Sequence, residues 1–331
     1  MKILITGGTG YIGSHVTVEL LEQHHEVEIL DNLVNSKITV LDQIEKITNK
    51  KPKFHQIDLL DQSALNSLFK KEHFDLVMHF AGLKAVAESV EHPLKYYENN
   101  ITGTINLLNA MEKNQVYNFI FSSSATVYGD PGTPECVETL ETGRKISSPY
   151  GKTKYMIEEI LKDLAVANPK FNIISLRYFN PIGNHSSGLI GEDPNGIPNN
   201  LMPYIMKVAK GELKELSIYG NDYDTKDGTC RRDYIHVVDL ANGHIAAIKG
   251  LKPGFHAFNL GTGQPTSVLE MVTAFEKISG KPLPHRFAPR RSGDLPEFWA
   301  NSTLAQKTLN WQAKLTVEDA LRDTMTFISK Q

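Results

Sequence analysis

The sequence predicts an α/β fold built on a doubly wound parallel sheet, and three observations carry that expectation. Short apolar runs alternate with longer helix-period segments through the first half of the 331-residue chain. A glycine-rich turn separates the first apolar run from the first helical one. The runs are near-continuous rather than alternating, as expected of strands covered by helices on both faces. Residues 3–6 read as the first buried strand and 12–23 as the helix after it. A strand over 26–31 follows, then a strand over 54–58, a helix over 62–71 and a strand over 76–81. Pro93 opens a long helix running to about Asn114. A strand over 119–123, a helix over 150–167 and a strand over 173–178 complete this half.

The texture then changes. Gly, Pro and Asn recur from residue 180 to 200 with little periodicity, over a span longer than a simple connection needs. Helices are expected at 201–210, 237–249, 267–279 and 317–329, with short strands between them. The length is about twice that of a usual single domain, so a first domain is expected over 1–180 and a smaller mixed α/β domain over 181–331. That boundary is soft, and some later strands are allowed to rejoin the first sheet.

With 35 basic and 38 acidic side chains, the chain lacks the positive excess of a general nucleic-acid binder. Cys136 and Cys230 make no disulfide framework and have no zinc-ligand spacing, so reduced thiols and a cytoplasmic location are expected. The 12 histidines show no metal spacing either, and no metal is expected. No run approaches the roughly 18 apolar residues of a membrane helix.

Gly7, Gly10 and Gly13 have GxxGxxG spacing between the first strand and the first helix. Such glycines let the backbone approach a pyrophosphate, whose charge meets the helix N-terminus. Asp31, 18 residues beyond Gly13 at a strand end, suits the adenosine ribose and would repel a 2′-phosphate, which favours NAD. Asp58, read as ending the third strand, is a candidate for the adenine amino group. Phe80, Ala81 and Gly82 follow the next strand at the carboxyl edge, where doubly wound sheets bind ligands.

Tyr150 and Lys154 are four residues apart and share a helix face. A phenol, with an ordinary pKa of about 10, is a poor base at neutral pH. A neighbouring ammonium and an oxidised nicotinamide favour the phenolate. Ser124, just beyond a strand end, is placed to hydrogen-bond the same reacting oxygen.

The glycine fingerprint, Ser124 and Tyr150-x-x-x-Lys154 resemble the extended short-chain dehydrogenase/reductase superfamily. More narrowly, GGTGYIGSH, HFAGLKAVAESV, FSSSATVYG, LRYFNPIG, GEDPNGIPNNLMPY, GNDYDTKDGT and RDYIHVVDLA resemble the UDP-glucose 4-epimerase family across nearly the whole chain. The resemblance implies an NAD-binding Rossmann domain, with NAD held by Tyr11, Ile12, Asp31, Asn32, Asn35, Ser36, Asp58, Leu59, Phe80, Lys84, Asn99, Ser124, Tyr150, Lys154 and Phe179. It implies a UDP-sugar held by Asn180, Asn200, Leu201, Tyr219, Arg232, Arg291 and Asp294, with Lys84, Ser124 and Tyr150 also meeting substrate. Arg232 and Arg291 suit a diphosphate clamp, and Tyr219 a stacking partner for uracil. The family commonly has an apolar residue where this chain has Arg231; register with Asp233-Tyr234 selects Arg232.

The implied activity is reversible interconversion of UDP-galactose and UDP-glucose through a 4-keto sugar with NAD retained, as in the Leloir pathway of galactose metabolism. A 4,6-dehydratase of the same superfamily would need carboxylates beside the serine, where this chain reads Ser124-Ala125-Thr126-Val127-Tyr128-Gly129. A non-catalytic NAD sensor would have no use for a tuned proton acceptor. Phe298, aligned with the family position bounding the pocket near the sugar 2-position, implies exclusion of N-acetylated sugars. The Pro93 helix carries Leu94, Tyr97, Ile101, Ile105 and Leu108 on one stripe with Tyr96, Leu107 and Ala110 off it, and the Tyr150 helix has Ile157, Leu161 and Leu164 beside Met156 and Ile160. Apolar residues on more than one face agree with the homodimer that the resemblance implies, in which the family pairs these two helices.

Overall fold

The central sheet has seven strands among the described residues, in the order Gly254–Leu260, Asn172–Tyr178, Asn118–Ser122, Leu76–His79, Lys2–Thr6, Glu26–Asp31, Lys53–Gln56. Every neighbouring pair is parallel. The structure, a computed structural model, describes residues 1–193, 200–291 and 293–330. Side chains of Lys2–Thr6 alternate between two cores. Ile3 and Ile5 pack with Val16, Leu20, Ile29, Leu240 and Ile245 on one face. Leu4 packs with Leu65, Leu107, Phe121, Ile157 and Leu161 on the other. Each such fully buried aliphatic side chain stabilises the fold by about 1.5–3 kcal/mol. Burial on both faces is why the sequence showed runs rather than alternation.

Several elements differ from the sequence expectation. The third strand is Lys53–Gln56, so Asp58 stands two residues beyond it. The chain has already turned there, with the Asp58 carboxylate accepting from the Leu60 N–H at 2.8 Å. The fourth strand ends at His79, and the next two N–H groups, of Phe80 and Ala81, both donate to the Thr6 carbonyl. Helices Val40–Thr48 and Val86–Glu91 had no counterpart in the reading; the first buries only Leu41 and Ile44, too short a stripe to stand out. The Pro93 helix is interrupted: Pro93–Tyr97 leads through a π-helical turn, Glu98–Thr102, into Gly103–Lys113. Inside that turn Asn100 is buried; its Oδ1 accepts from the Leu83 N–H, and its Nδ2 donates to the Leu83 carbonyl and to Thr153 Oγ1. One amide thereby ties the loop after Leu76–His79 to the helix bearing Tyr150. A π-turn at such a place is typical of functional sites.

The second half of the chain contributes to both units. Helix Val237–Ile248 joins the first core, and Gly254–Leu260 pairs along its length with Asn172–Tyr178. A mixed sheet orders Pro265–Ser267, Arg231–His236, Glu297–Ala300 and Glu135–Cys136, with Asn180–Ile182 beside Arg231–His236. Helices Leu201–Ala209, Val268–Ser279 and Val317–Ser329 cover a further core around Met202, Ile205, Met271, Phe275 and Leu321. Capping boxes at Ser267/Glu270 and Thr316/Asp319 start two of these helices. Residues 194–199 of the GEDPNGIPNN stretch lie outside the described residues, as does Ser292. Among the described residues no helix is long and apolar enough to cross a membrane.

Candidate active site

A cavity of about 510 Å³ follows the carboxyl ends of the sheet strands. It opens where strand order reverses, between Lys2–Thr6 and Leu76–His79, the position at which doubly wound sheets bind ligands.

At one end the glycine turn is shaped by lack of side chains. Gly7 has φ +71°, and a Cβ there would stand 2.6 Å from the Ala81 nitrogen. A Cβ at Gly13 would stand 2.3 Å from the Gly7 carbonyl oxygen. Gly10 caps helix Tyr11–Glu22 with no side-chain hydrogen bond and no acid in the first turn, so the helix presents its positive end to the cavity. Asp31 is held as a fixed acceptor: Oδ1 takes hydrogen bonds from the Leu33 N–H and Ser36 Oγ, and Oδ2 from the Thr9 N–H. Asn32 Nδ2 donates to Asp58 at 2.9 Å. Ile12, Asn35, Leu59, Phe80, Ala81, Gly82 and Asn99 complete this wall. An open helix terminus beside a fixed carboxylate fits the pyrophosphate and adenosine ribose of a dinucleotide.

In the middle stand Tyr150, Lys154 and Ser124. Ser148 accepts from the Gly151 N–H and Pro149 fills the first turn, fixing where the Tyr150 helix begins. Lys154 Nζ donates to the Ser122 carbonyl at 2.8 Å and lies 4.7 Å above the Phe121 ring centroid. Burial pulls this ammonium down to about 8, Glu158 one turn on working the other way. Burial pushes the Tyr150 phenol well above its usual range; neighbouring Tyr178 adds to that and a hydrogen bond with Ser124 opposes it. Ser124 Oγ also accepts from Thr126 N–H and Oγ1. The buried Lys154 ammonium has no ion-pair partner among the described residues, and ionising the neutral Tyr150 phenol would supply it with an opposite charge.

At the far end Asn180, Asn200, Leu201, Tyr219, Arg232 and Arg291 line the cavity. Arg291 lies 5.1 Å from the Tyr219 ring centroid and donates to Asp294 at 2.8 Å; Arg232 stands 3.7 Å from the same carboxylate. Arg231 turns away, paired with Glu297 at 2.7 Å and donating to the Pro265 carbonyl. Buried Asp233 braces this strand by accepting from the N–H groups of Thr262, Gly263 and Ala300.

Most residues singled out from the sequence thus share one cavity, including Lys84 and Phe179. Two do not reach its wall. Asp294 sits behind the arginines as their counter-ion. Phe298, expected to bound the sugar pocket, packs instead behind Phe179 in a cluster with Val127, Tyr128 and Ala300. Its register opposite Arg232 on the neighbouring strand sets that position. Other wall residues escaped the reading. Tyr178 accepts from Ser122 Oγ at 3.1 Å beside Tyr150. Glu192 joins Lys84, 3.1 Å away, to Asn200. Tyr178 reads as an ordinary strand end, and Glu192 as loop polarity, so neither carried a signal.

Residues 3–261 match the model of the NAD dependent epimerase/dehydratase family. The UDP-glucose 4-epimerase of Yersinia pestis is 54% identical, the alignment covering 100% of this chain and 98% of that one. The chain belongs to the UDP-glucose 4-epimerase family. Its Bacillus subtilis member is likewise 54% identical over 98% of this chain and 96% of its own. A crystal structure of the family from Bifidobacterium longum, a UDP-glucose 4-epimerase in complex with NAD+ and UDP, superposes with a TM-score of 0.96 at 48% identity, covering 100% and 99% of the two chains.

Proposed function

We propose that the protein is an NAD-dependent isomerase that interconverts UDP-galactose and UDP-glucose by inverting C4 through a 4-keto sugar. What supports the reading is one continuous cavity with an open helix N-terminus and Asp31 at one end, Arg232 and Arg291 at the other, and Tyr150, Lys154 and Ser124 between them.

Gly7, Gly10, Gly13, Tyr11, Ile12 and Asp31 would hold NAD, which when bound supplies hydride acceptance and return at the sugar C4. Tyr150 accepts the 4-hydroxyl proton as that carbon is oxidised, Lys154 stabilising the phenolate, and returns it once the ketone has turned over. Ser124 donates to the same sugar oxygen and so steers it toward Tyr150. Arg232 and Arg291 hold the diphosphate with charge-assisted hydrogen bonds while the hexose stays loosely held, which permits its rotation. In this assignment residues 1–180 carry the cofactor and 181–331 carry most contacts to the UDP-sugar.

The deciding experiment incubates purified protein with UDP-galactose and follows UDP-glucose. Conversion is expected in wild type and loss of about 10²–10⁴-fold in Tyr150→Phe. No conversion by a folded wild-type protein containing NAD overturns the reading.

We also propose a homodimer in the cytoplasm. Leu94 and Ile105 on one helix system and Met156 on the Tyr150 helix are exposed, with Val90 nearby in sequence, although Leu108 of the same stripe is buried. Light scattering is expected to give twice the chain mass, and Leu94→Glu with Ile105→Glu to halve it. Cys136 and Cys230 are both unpaired, as suits a reducing compartment.

A further inference from the structure

Tyr150, Lys154 and Glu158 follow one another at four-residue steps along one face of helix Pro149–Ala167. The Glu158 side chain is fully buried. Its carboxylate accepts from Ser123 Oγ at 2.7 Å, Ser175 Oγ at 2.7 Å, and Arg177 Nε and Nη2 at 3.0 and 2.6 Å. Arg177 Nη1 continues to the Tyr128 hydroxyl at 3.1 Å, and that hydroxyl donates to Asn259 Oδ1 at 2.7 Å. Ser123 immediately precedes Ser124, and Tyr128 ends the 3-10 turn Ala125–Tyr128 immediately after it. The network therefore grips the chain on both sides of Ser124.

Burying an ion pair costs desolvation that apolar side chains of the same shape avoid, so the pair is not explained by stability. Charge gives a reason. Glu158 makes its ion pair with Arg177, so the Lys154 ammonium over Phe121 has no direct ion-pair partner among the described residues and lies one helical turn from the Glu158 carboxylate, whose field it still feels. The ionisable groups facing Tyr150 and Lys154 are Glu158 on their own helix, His79 from Leu76–His79, Tyr178 from Asn172–Tyr178 and Tyr96 from Pro93–Tyr97. Behind Glu158 come Arg177, Tyr128 and Glu138. His79 is held between the hydroxyls of Thr6 and Thr104 and is kept neutral by burial. Glu158 is thus the formal anion that Lys154 faces until Tyr150 ionises.

We propose that Glu158 is a positioning residue for the epimerisation: it fixes Ser124 in register and its charge sets the pH range in which Tyr150 and Lys154 exchange protons. This rests on reading Tyr150 as the proton acceptor.

The test uses holoenzyme variants Glu158→Gln, Glu158→Asp and Arg177→Gln, with Tyr150→Phe as reference. Two readouts are taken against pH: kcat and KM, and the tyrosinate absorbance lost on adding Tyr150→Phe to each background. Glu158→Gln removes a negative charge at constant shape, so the acid and alkaline limbs and the Tyr150 titration are expected to move down by about one pH unit. At the wild-type optimum kcat falls about 10-fold while KM holds. Arg177→Gln moves the same features up. Glu158→Asp keeps the charge and keeps the wild-type limbs, whatever happens to kcat. Limbs and tyrosinate titration that stay put in Glu158→Gln, or that move equally in Glu158→Asp, overturn the proposal. Should either single variant fail to fold, the double Glu158→Gln/Arg177→Gln removes both members of the buried pair and is still expected to shift downward, because Glu158 is the charge acting on Lys154; an unshifted double overturns it as well. Near-normal turnover in Tyr150→Phe alone would instead sink the reading of Tyr150, a separate result.

Discussion

Phe179 and Phe298 lie ring against ring, with centroids 5.1 Å apart and planes tilted by 37°, and of the two only Phe179 reaches the cavity wall. Any control of sugar size at Phe298, the role the resemblance implies, would therefore have to act through Phe179. Wild type is expected to prefer UDP-galactose to UDP-N-acetylgalactosamine in kcat/KM. Phe179→Leu should narrow that preference more than Phe298→Cys, which mainly leaves a void and costs about 2 kcal/mol of stability. Both quantities come from kinetics with the two sugars and from denaturant midpoints. A larger gain in Phe298→Cys than in Phe179→Leu would restore the direct role.

Arg232 and Arg231 are adjacent in sequence but opposed in direction. Arg232→Met should raise KM for UDP-galactose by roughly 10- to 100-fold with kcat little changed, from loss of a charge-assisted contact to the diphosphate. Arg231→Met, which unpairs Glu297 and the Pro265 carbonyl and reaches nothing in the cavity wall, should leave KM near wild type. Steady-state kinetics of the two variants decide it, and equal effects would contradict the assignment.

Gly13→Ala puts a methyl group 2.3 Å from the Gly7 carbonyl oxygen. The turn must open to admit it, so purified protein should carry at least about 10-fold less NAD than wild type. Nucleotide released on acid precipitation measures this. Full NAD occupancy in the variant would remove the glycine turn from the binding site.

Acid should destabilise the protein well before its surface carboxylates titrate. Burial pushes His15 and His79 down to about 3 and His236 and His244 down to about 4. The unfolded chain takes up these protons below about pH 6.5 while the folded one does not, so the stability they contribute is whole above that pH and is lost as pH falls from there toward 3. Glu19, held up to about 7 by burial, acts in reverse, favouring the folded state as pH drops from 7 toward its unfolded value. Glu138 and Asp323 are also raised by burial and His25 and His185 also lowered, so the four strongly depressed histidines decide the sign. Urea midpoints should fall between pH 7 and pH 5, and a flat or rising midpoint would tell against it.

Where chemistry depends on neighbours in sequence, the site was legible. The glycine turn, Asp31 and the Tyr150–Lys154 step each follow from local geometry, and the strand–helix alternation followed from burial on both sheet faces. What escaped depends on contacts remote in sequence. Nothing local distinguishes Phe298 lining a pocket from Phe298 backing Phe179; the pairing of Glu297–Ala300 with Arg231–His236 decides it. The π-turn at Glu98–Thr102 has no periodicity of its own, and Asn100 looks like any helix asparagine until Leu83 and Thr153 meet it. Asp58 falls in the strand expected over 54–58, whereas the strand stops at Gln56 and the backbone has turned by Asp58, a boundary that no residue type marks.

The return of Gly254–Leu260 to the edge of the first sheet governs how the molecule can be made and divided. A nascent chain cannot close that edge until residue 260 has left the ribosome, and Arg177 and Tyr128 wait as long for Asn259. A fragment stopped near residue 180 would display Asn172–Tyr178 as a bare, largely apolar strand, a template for aggregation. Residues 1–180 and 181–331 are therefore not interchangeable cassettes, and a chimera joined there would inherit an unfinished sheet.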